Sequence, residues 1–153
     1  MFNQYPFTRL ESYIAQQLGG RRCALKPFGY PFNFSTITNG AVATSTQKLN
    51  SNGFFFCTGI IAVDALAADW GDSLLQIEDQ GSKENFFNSA SPVSAVASIA
   101  KLGMTAWHAY EAPRRIDGNS TLLATLTAGD TSTLTTPQIY LEGVMAYVYS
   151  GQG

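Results

Sequence analysis

Two rhythms of apolar residues divide this chain. Near its start, Leu10, Tyr13, Ile14 and Leu18 recur at three- and four-residue intervals, the spacing of one face of a helix. Thr8-Arg9-Leu10-Glu11 has the form of a capping box, and Gly19-Gly20 supplies a left-handed stop. The pattern predicts a short helix over about residues 9–18. A helix of that length is marginal alone in water, so its apolar face must pack on its own body or on a neighbouring chain.

Beyond the helix the rhythm is that of strands. Residues 26–34, KPFGYPFNF, place a ring at every second position: Phe28, Tyr30, Phe32 and Phe34. Pro27 and Pro31 bar an interior sheet position and favour an extended path. Such a segment can lie in a partner's groove with its rings as anchors, or its rings can plug one end of the protein's own core. The stretch 52–66, NGFFFCTGIIAVDAL, opens on a turn dipeptide and continues with aromatic, β-branched and small residues. It predicts a central strand covered on both faces.

Around that strand, 41–49 reads as a strand with alternating Thr44 and Thr46, 73–78 as another, and Phe86-Phe87 as a short one. Ser91-Pro92 resembles a helix start, and Val93, Val96, Ile99 and Ala100 predict a short helix over about 92–101. Strands follow at 104–110, 121–127 and 138–149, separated by polar, glycine-bearing turns. The expected fold is all-β: an antiparallel, jelly-roll-like β-sandwich over residues 37–153, with an N-terminal extended arm over 1–36 that carries the short helix.

Composition narrows the function classes. A chain of 153 residues is expected to form one domain with a real core. Charged residues make up 13%, against roughly 25% in a typical globular domain. That suits a surface partly occupied by partners. Residues 1–30 carry Arg9, Arg21, Arg22 and Lys26 against Glu11 alone, a basic arm on a chain of net charge −2. Nothing clusters into the basic face that nucleic-acid binding requires. No run approaches the roughly 18 apolar residues of a membrane span. The opening MFNQYPFTRLESY lacks a basic start and an apolar run, so synthesis in a cytoplasm is expected, with Cys23 and Cys57 as idle thiols.

The chemistry-bearing residues do not assemble into a site. His108 is the one histidine, and with two scattered cysteines it builds neither a triad nor a zinc set. Asp64, Asp69 and Asp72 lie close in sequence, but their spacing matches no EF-hand. Phosphate-binding glycine motifs are absent. A non-enzymatic protein with no catalytic, cofactor-binding or metal-binding residues is expected. Arg114-Arg115 is a compact basic pair, either a solvated turn or salt-bridged rim, or a contact with a neighbouring subunit's carboxylates, where arginine suits bidentate pairing.

The order of the pieces carries a resemblance. A "GFFFCTGI" strand, the run "LLQIEDQGSKENFFNSASPVSAV", the entry "APRRIDGNSTLLATLTA" and a last "IYLEGVMAY" strand follow one another over about residues 40–149. This arrangement resembles the single jelly-roll virion proteins of tailed bacteriophages, of the capsid cement or decoration type. The resemblance implies a structural protein of the virion that contacts the major capsid protein or other virion proteins, forms a homo-oligomer, with a trimer favoured, and binds neither nucleic acid nor membrane. On that reading the partner-binding residues are Phe28, Tyr30, Phe32 and Phe34, together with the face of Leu10, Tyr13, Ile14 and Leu18. A rival expectation is a carbohydrate- or receptor-binding module of a phage tail or similar assembly, with Trp70, Trp107 and His108 exposed on one face for sugar stacking.

Overall fold

A computed structural model describes residues 5–21, 23–64, 70–100, 113–130 and 133–148. The elements, in chain order, are α1 (Tyr5–Gln17), β1 (Cys23–Asn33), β2 (Val42–Lys48), β3 (Phe54–Val63), β4 (Leu74–Asp79), β5 (Glu84–Asn85), β6 (Ser91–Pro92), α2 (Val93–Val96), β7 (Ser98–Ala100), β8 (Arg114–Ile116), β9 (Thr121–Thr127) and β10 (Gln138–Val148). They form an all-β sandwich of two five-stranded sheets. One runs β1-β10-β3, with β7 and β8 both on the far edge of β3. The other runs β2-β9-β4, with β5 and β6 on the far edge of β4.

The winding is that of a jelly roll. The chain pairs as one long hairpin: β1 with β10, β2 with β9, β3 with β8, and β4 with β5 and β6. The hairpin is then rolled, so that β10 also pairs with β3 and β9 with β4. These ladders are antiparallel; the short β3–β7 ladder, Ile61↔Ser98 to Val63↔Ala100, is parallel.

Burial follows the two-residue period of a strand. Leu122, Ala124 and Leu126 of β9 and Leu75 and Ile77 of β4 point between the sheets, as do Ile139, Leu141 and Met145 of β10. In β3 the period slips. Phe55 and Cys57 point inward, but beyond them it is Ile60 and Ala62 that do. The cause is a register shift opposite Glu142 and Gly143, where Thr58 is the extra residue and its hydroxyl donates to the Glu142 carbonyl at 3.2 Å. This bulge explains why 52–66 shows no clean alternation. Gly143 sits at the same point with no room for a side chain: a Cβ there would overlap the Phe56 carbonyl and approach the Phe55 ring to 2.8 Å.

Several expectations are corrected. The helix runs from Tyr5 to Gln17 rather than over 9–18, which puts Thr8 inside it and not at its cap. Pro6 is tolerated in the first turn, where its missing N–H has no intrahelical partner anyway. The aromatic segment expected to belong to an arm over 1–36 is β1, paired with β10 along its whole length from Cys23↔Val148 to Asn33↔Gln138. Its prolines are accommodated because β1 is an edge strand, where one side needs no donors. The strand expected at Phe86-Phe87 falls instead at Glu84–Asn85, and the two phenylalanines follow it with their rings edge to face at 6.4 Å. The helix expected over 92–101 shortens to the single turn Val93–Val96, because Ser98–Ala100 is drawn into pairing with β3. The strand expected at 104–110 lies outside the described residues.

Candidate functional site

The predicted helix face, Leu10, Tyr13, Ile14 and Leu18, meets the outer face of the first sheet. Val144 and Ala146 of β10 and Phe56 of β3 are buried there, although they point away from the sandwich interior. What buries them is α1. Ile14 and Leu18 are fully enclosed against them, with Leu10 and Tyr13 partly buried at the margin beside Cys23, Leu25 and Phe54. Tyr13 meets Phe56 edge to face at 6.4 Å. The helix ends in Gly19 and Gly20, both at positive φ, with the Gly20 N–H donating to the Ala15 carbonyl at 2.8 Å.

Strand alternation sends the two neighbouring arginines of β8 to different tasks. Arg115 donates to the Gln17 carbonyl at the C-terminal end of α1 at 2.9 Å, pairs with Asp117 at 3.1 Å and lies over the Phe54 ring at 4.5 Å. A cation at a helix C-terminus also complements the helix dipole. Arg114 turns to the sheet edge, lying over Phe86 at 4.4 Å and donating to the Asn85 carbonyl at 3.1 Å. Both arginines therefore have partners within their own chain. They form a salt-bridged rim, Arg114 lying 3.8 Å from the Glu84 carboxylate and Arg115 3.1 Å from that of Asp117.

The aromatic anchors divide. Tyr30, Phe32 and Phe34 are core residues. Tyr30 packs edge to face on Phe55 at 5.0 Å, and its hydroxyl accepts the Asn50 N–H at 3.1 Å. Burial pushes its phenol above the ordinary range. These three rings serve their own core rather than a partner's groove. Phe28 alone keeps an exposed ring, at 36%. The helix-face residues Leu10, Tyr13, Ile14 and Leu18 are likewise engaged with their own sheet.

Asp64 and Asp72 are engaged apart from each other. Asp64, 2% exposed, accepts the backbone N–H groups of Thr135 and Thr136 at 3.2 and 2.9 Å. It thereby pins the segment entering β10, whose Leu134 bridges to Ile37. Asp72 turns elsewhere, against Gly129, and Asp69 lies outside the described residues. No group of three His, Cys, Asp or Glu that could hold a metal ion occurs among the described residues. Trp70, expected as a sugar-stacking ring, is 2% exposed, and Trp107 and His108 lie outside the described residues. Burial pushes the Cys57 thiol up to about 12 and also raises Cys23, to which the Glu11 charge adds.

Two surfaces are left uncovered by any described element. The outer face of the second sheet carries Thr44, Thr46, Thr121, Thr125 and Thr127 with the apolar Val42, Leu74 and Leu123 and the charged Lys48 and Glu78, and Val42 on it is 60% exposed. On the first sheet, α1 covers only the rows nearest Cys23. The remaining rows place Gly29 beside Glu142, Pro31 beside Tyr140 and Asn33 beside Gln138, with the buried Gly59 and the half-buried Ile61 and Val63 on the other flank. Single-sequence reasoning missed these rows because their members are unremarkable one at a time. The pairing of β1, β10 and β3 makes them a surface. Among the described residues no helix is long and apolar enough to cross a membrane. No protein-family model matches the chain, and no curated protein matches it.

Proposed function

We propose that this protein is a non-enzymatic structural component of a phage virion, a cement or decoration protein that binds the major capsid protein and acts as a homotrimer. The observation that supports this reading is the rolled-hairpin sandwich, taken with the sequence resemblance to jelly-roll virion proteins over about residues 40–149. Fold alone never implies function, so the low charge content and the open threonine-rich face carry the rest. A cement protein works by spanning subunits of a shell. Pulling the subunits apart must then also expose the area buried beneath the cement, which adds its binding free energy to the shell's own. The surface for this contact is the outer face of the second sheet, with Val42, Leu74 and Leu123 as apolar members.

The test is whether the protein resides on particles. Immunogold labelling of purified virions from the producing phage, with light scattering of the free protein, should show surface label and a trimer mass. Charged substitutions at Val42 and Leu123 should abolish labelling while the protein stays folded. Unlabelled virions, or a monomer that fails to add back to stripped particles, would overturn the proposal. Truncation must respect the fold: a chain lacking residues 1–21 keeps every strand, whereas one lacking 1–36 loses β1 and with it the partner of β10.

A further inference from the structure

We infer that the open half of the first sheet's outer face is a carbohydrate platform, centred on Tyr140 and suited to a neutral glycan. This goes beyond the virion reading and does not depend on it. The platform rests on a side chain laid across the sheet. A Cβ added to Gly29 would overlap the phenol end of Tyr140, so the ring reaches across β1 into the space that glycine leaves. Aromatic side chains settle over sheet glycines in this way. The result is a ring lying along the surface, half-buried, that no described aromatic ring or cation stacks upon, so its outward face can receive the apolar C–H face of a pyranose.

Planar polar groups flank the ring on the same face. Gln138 donates through Nε2 to Asn33 Oδ1 at 2.6 Å, which fixes one amide pair on one side. Glu142 lies on the other, half-buried between Gly29 and Gly59 in the ladder and without a cationic partner among the described residues. Amides and carboxylates beside an aromatic ring are the groups that pair with sugar hydroxyls while the ring takes the apolar face. Gln138 and Glu142 are four residues apart, about 13 Å along a strand, the reach of a short oligosaccharide. The one charge on these rows is negative, which selects neutral glycans over anionic ones. The buried Trp70 cannot take this role, and Tyr140 supplies the ring in its place.

The test titrates the full chain with neutral hexaoses of glucose, N-acetylglucosamine and galactose, followed through backbone amide resonances. At least one hexaose should bind, with shifts concentrated at residues 29–33 and 138–142. Tyr140→Ala should weaken binding about tenfold or more, while Tyr140→Phe, which keeps the ring, should stay within about twofold. If Tyr140→Ala does not fold, Gln138→Ala decides, with binding about threefold or more weaker expected. No binding by any of the three hexaoses overturns the proposal. So does binding with shifts elsewhere, or binding indifferent to both Tyr140→Ala and Gln138→Ala. A wild-type oligomer that Tyr140→Ala dissociates would show instead that a second copy covers this face.

Discussion

Removing the Asp64 carboxylate should destabilise the fold more than its place at the end of a strand suggests. Asp64 is 2% exposed and makes two hydrogen bonds, one from each oxygen, to the successive N–H groups of Thr135 and Thr136. A hydrogen bond to a charged group contributes about 1.5–3 kcal/mol, and an abandoned donor in a part-buried site retains most of that cost. Asp64→Ala should therefore cost about 3–5 kcal/mol, the low end applying if water reaches the Thr136 N–H. Asp64→Asn keeps the shape and one acceptor oxygen, but its NH2 faces a donor, so about half the loss is expected. With a urea slope of about 2 kcal/mol/M, the midpoint should fall by about 1.5–2.5 M for alanine and about half as much for asparagine. Amide exchange at residues 135 and 136 should quicken in both. An alanine variant within about 0.5 kcal/mol of wild type would refute the reasoning. An asparagine variant as damaged as alanine would show that charge, and not the count of acceptors, holds the segment.

Other perturbations test separate parts of the account. Arg115→Ala removes the hydrogen bond to Gln17 and the contact over Phe54, and should cost about 1–2 kcal/mol, with amide exchange rising across residues 10–18 and the strands unaffected. Equal protection in α1 would refute the clasp. Gly143→Ala forces a methyl group into the Phe56 carbonyl and the Phe55 ring, so a loss of about 2–4 kcal/mol in thermal or urea unfolding is expected, and a neutral effect would contradict the bulge geometry. The buried Cys57 thiol, raised from 9.0 to about 12, ionises first in the unfolded chain. Its contribution to stability is therefore whole below pH 9 and lost progressively toward 12, with Tyr30 acting in the same direction from 10. Urea midpoints measured across that range should fall less steeply in Cys57→Ala, and an unchanged slope would rule out Cys57 as the source.

The candidate surface was legible in part. Leu10, Tyr13, Ile14 and Leu18 stand out because helical spacing is written locally, and all four do form one packed face. The face they meet could not be read. Phe54 and Phe56 belong to a strand that looks doubly buried, whereas Val144 and Ala146 are small apolar residues in a distant one, and pairing across β10 and β3 unites them. The rings at Phe28, Tyr30, Phe32 and Phe34 were equally visible, but alternation alone does not say whose core they enter. Tyr140 escaped notice because its use depends on a glycine that is its diagonal neighbour only across the β1–β10 ladder.

What the amino-acid sequence determined by itself is the class and the inventory. The two-residue period of 121–127, the aromatic alternation of 26–34, the turn at Asn52-Gly53 and the helical face near the start are all set by neighbours within a few residues. They specify an all-β sandwich with one short amphipathic helix. Tertiary structure alone decided that 23–33 is an edge strand of the body, that Thr58 is the extra residue which reverses the inward face of β3, and that Arg114 and Arg115 serve opposite sides. The physical reason is one of range. Periodicity and capping act over a single turn or strand. Register and face depend on contacts between residues that chain entropy keeps apart until the whole roll closes, and those contacts are favourable only together.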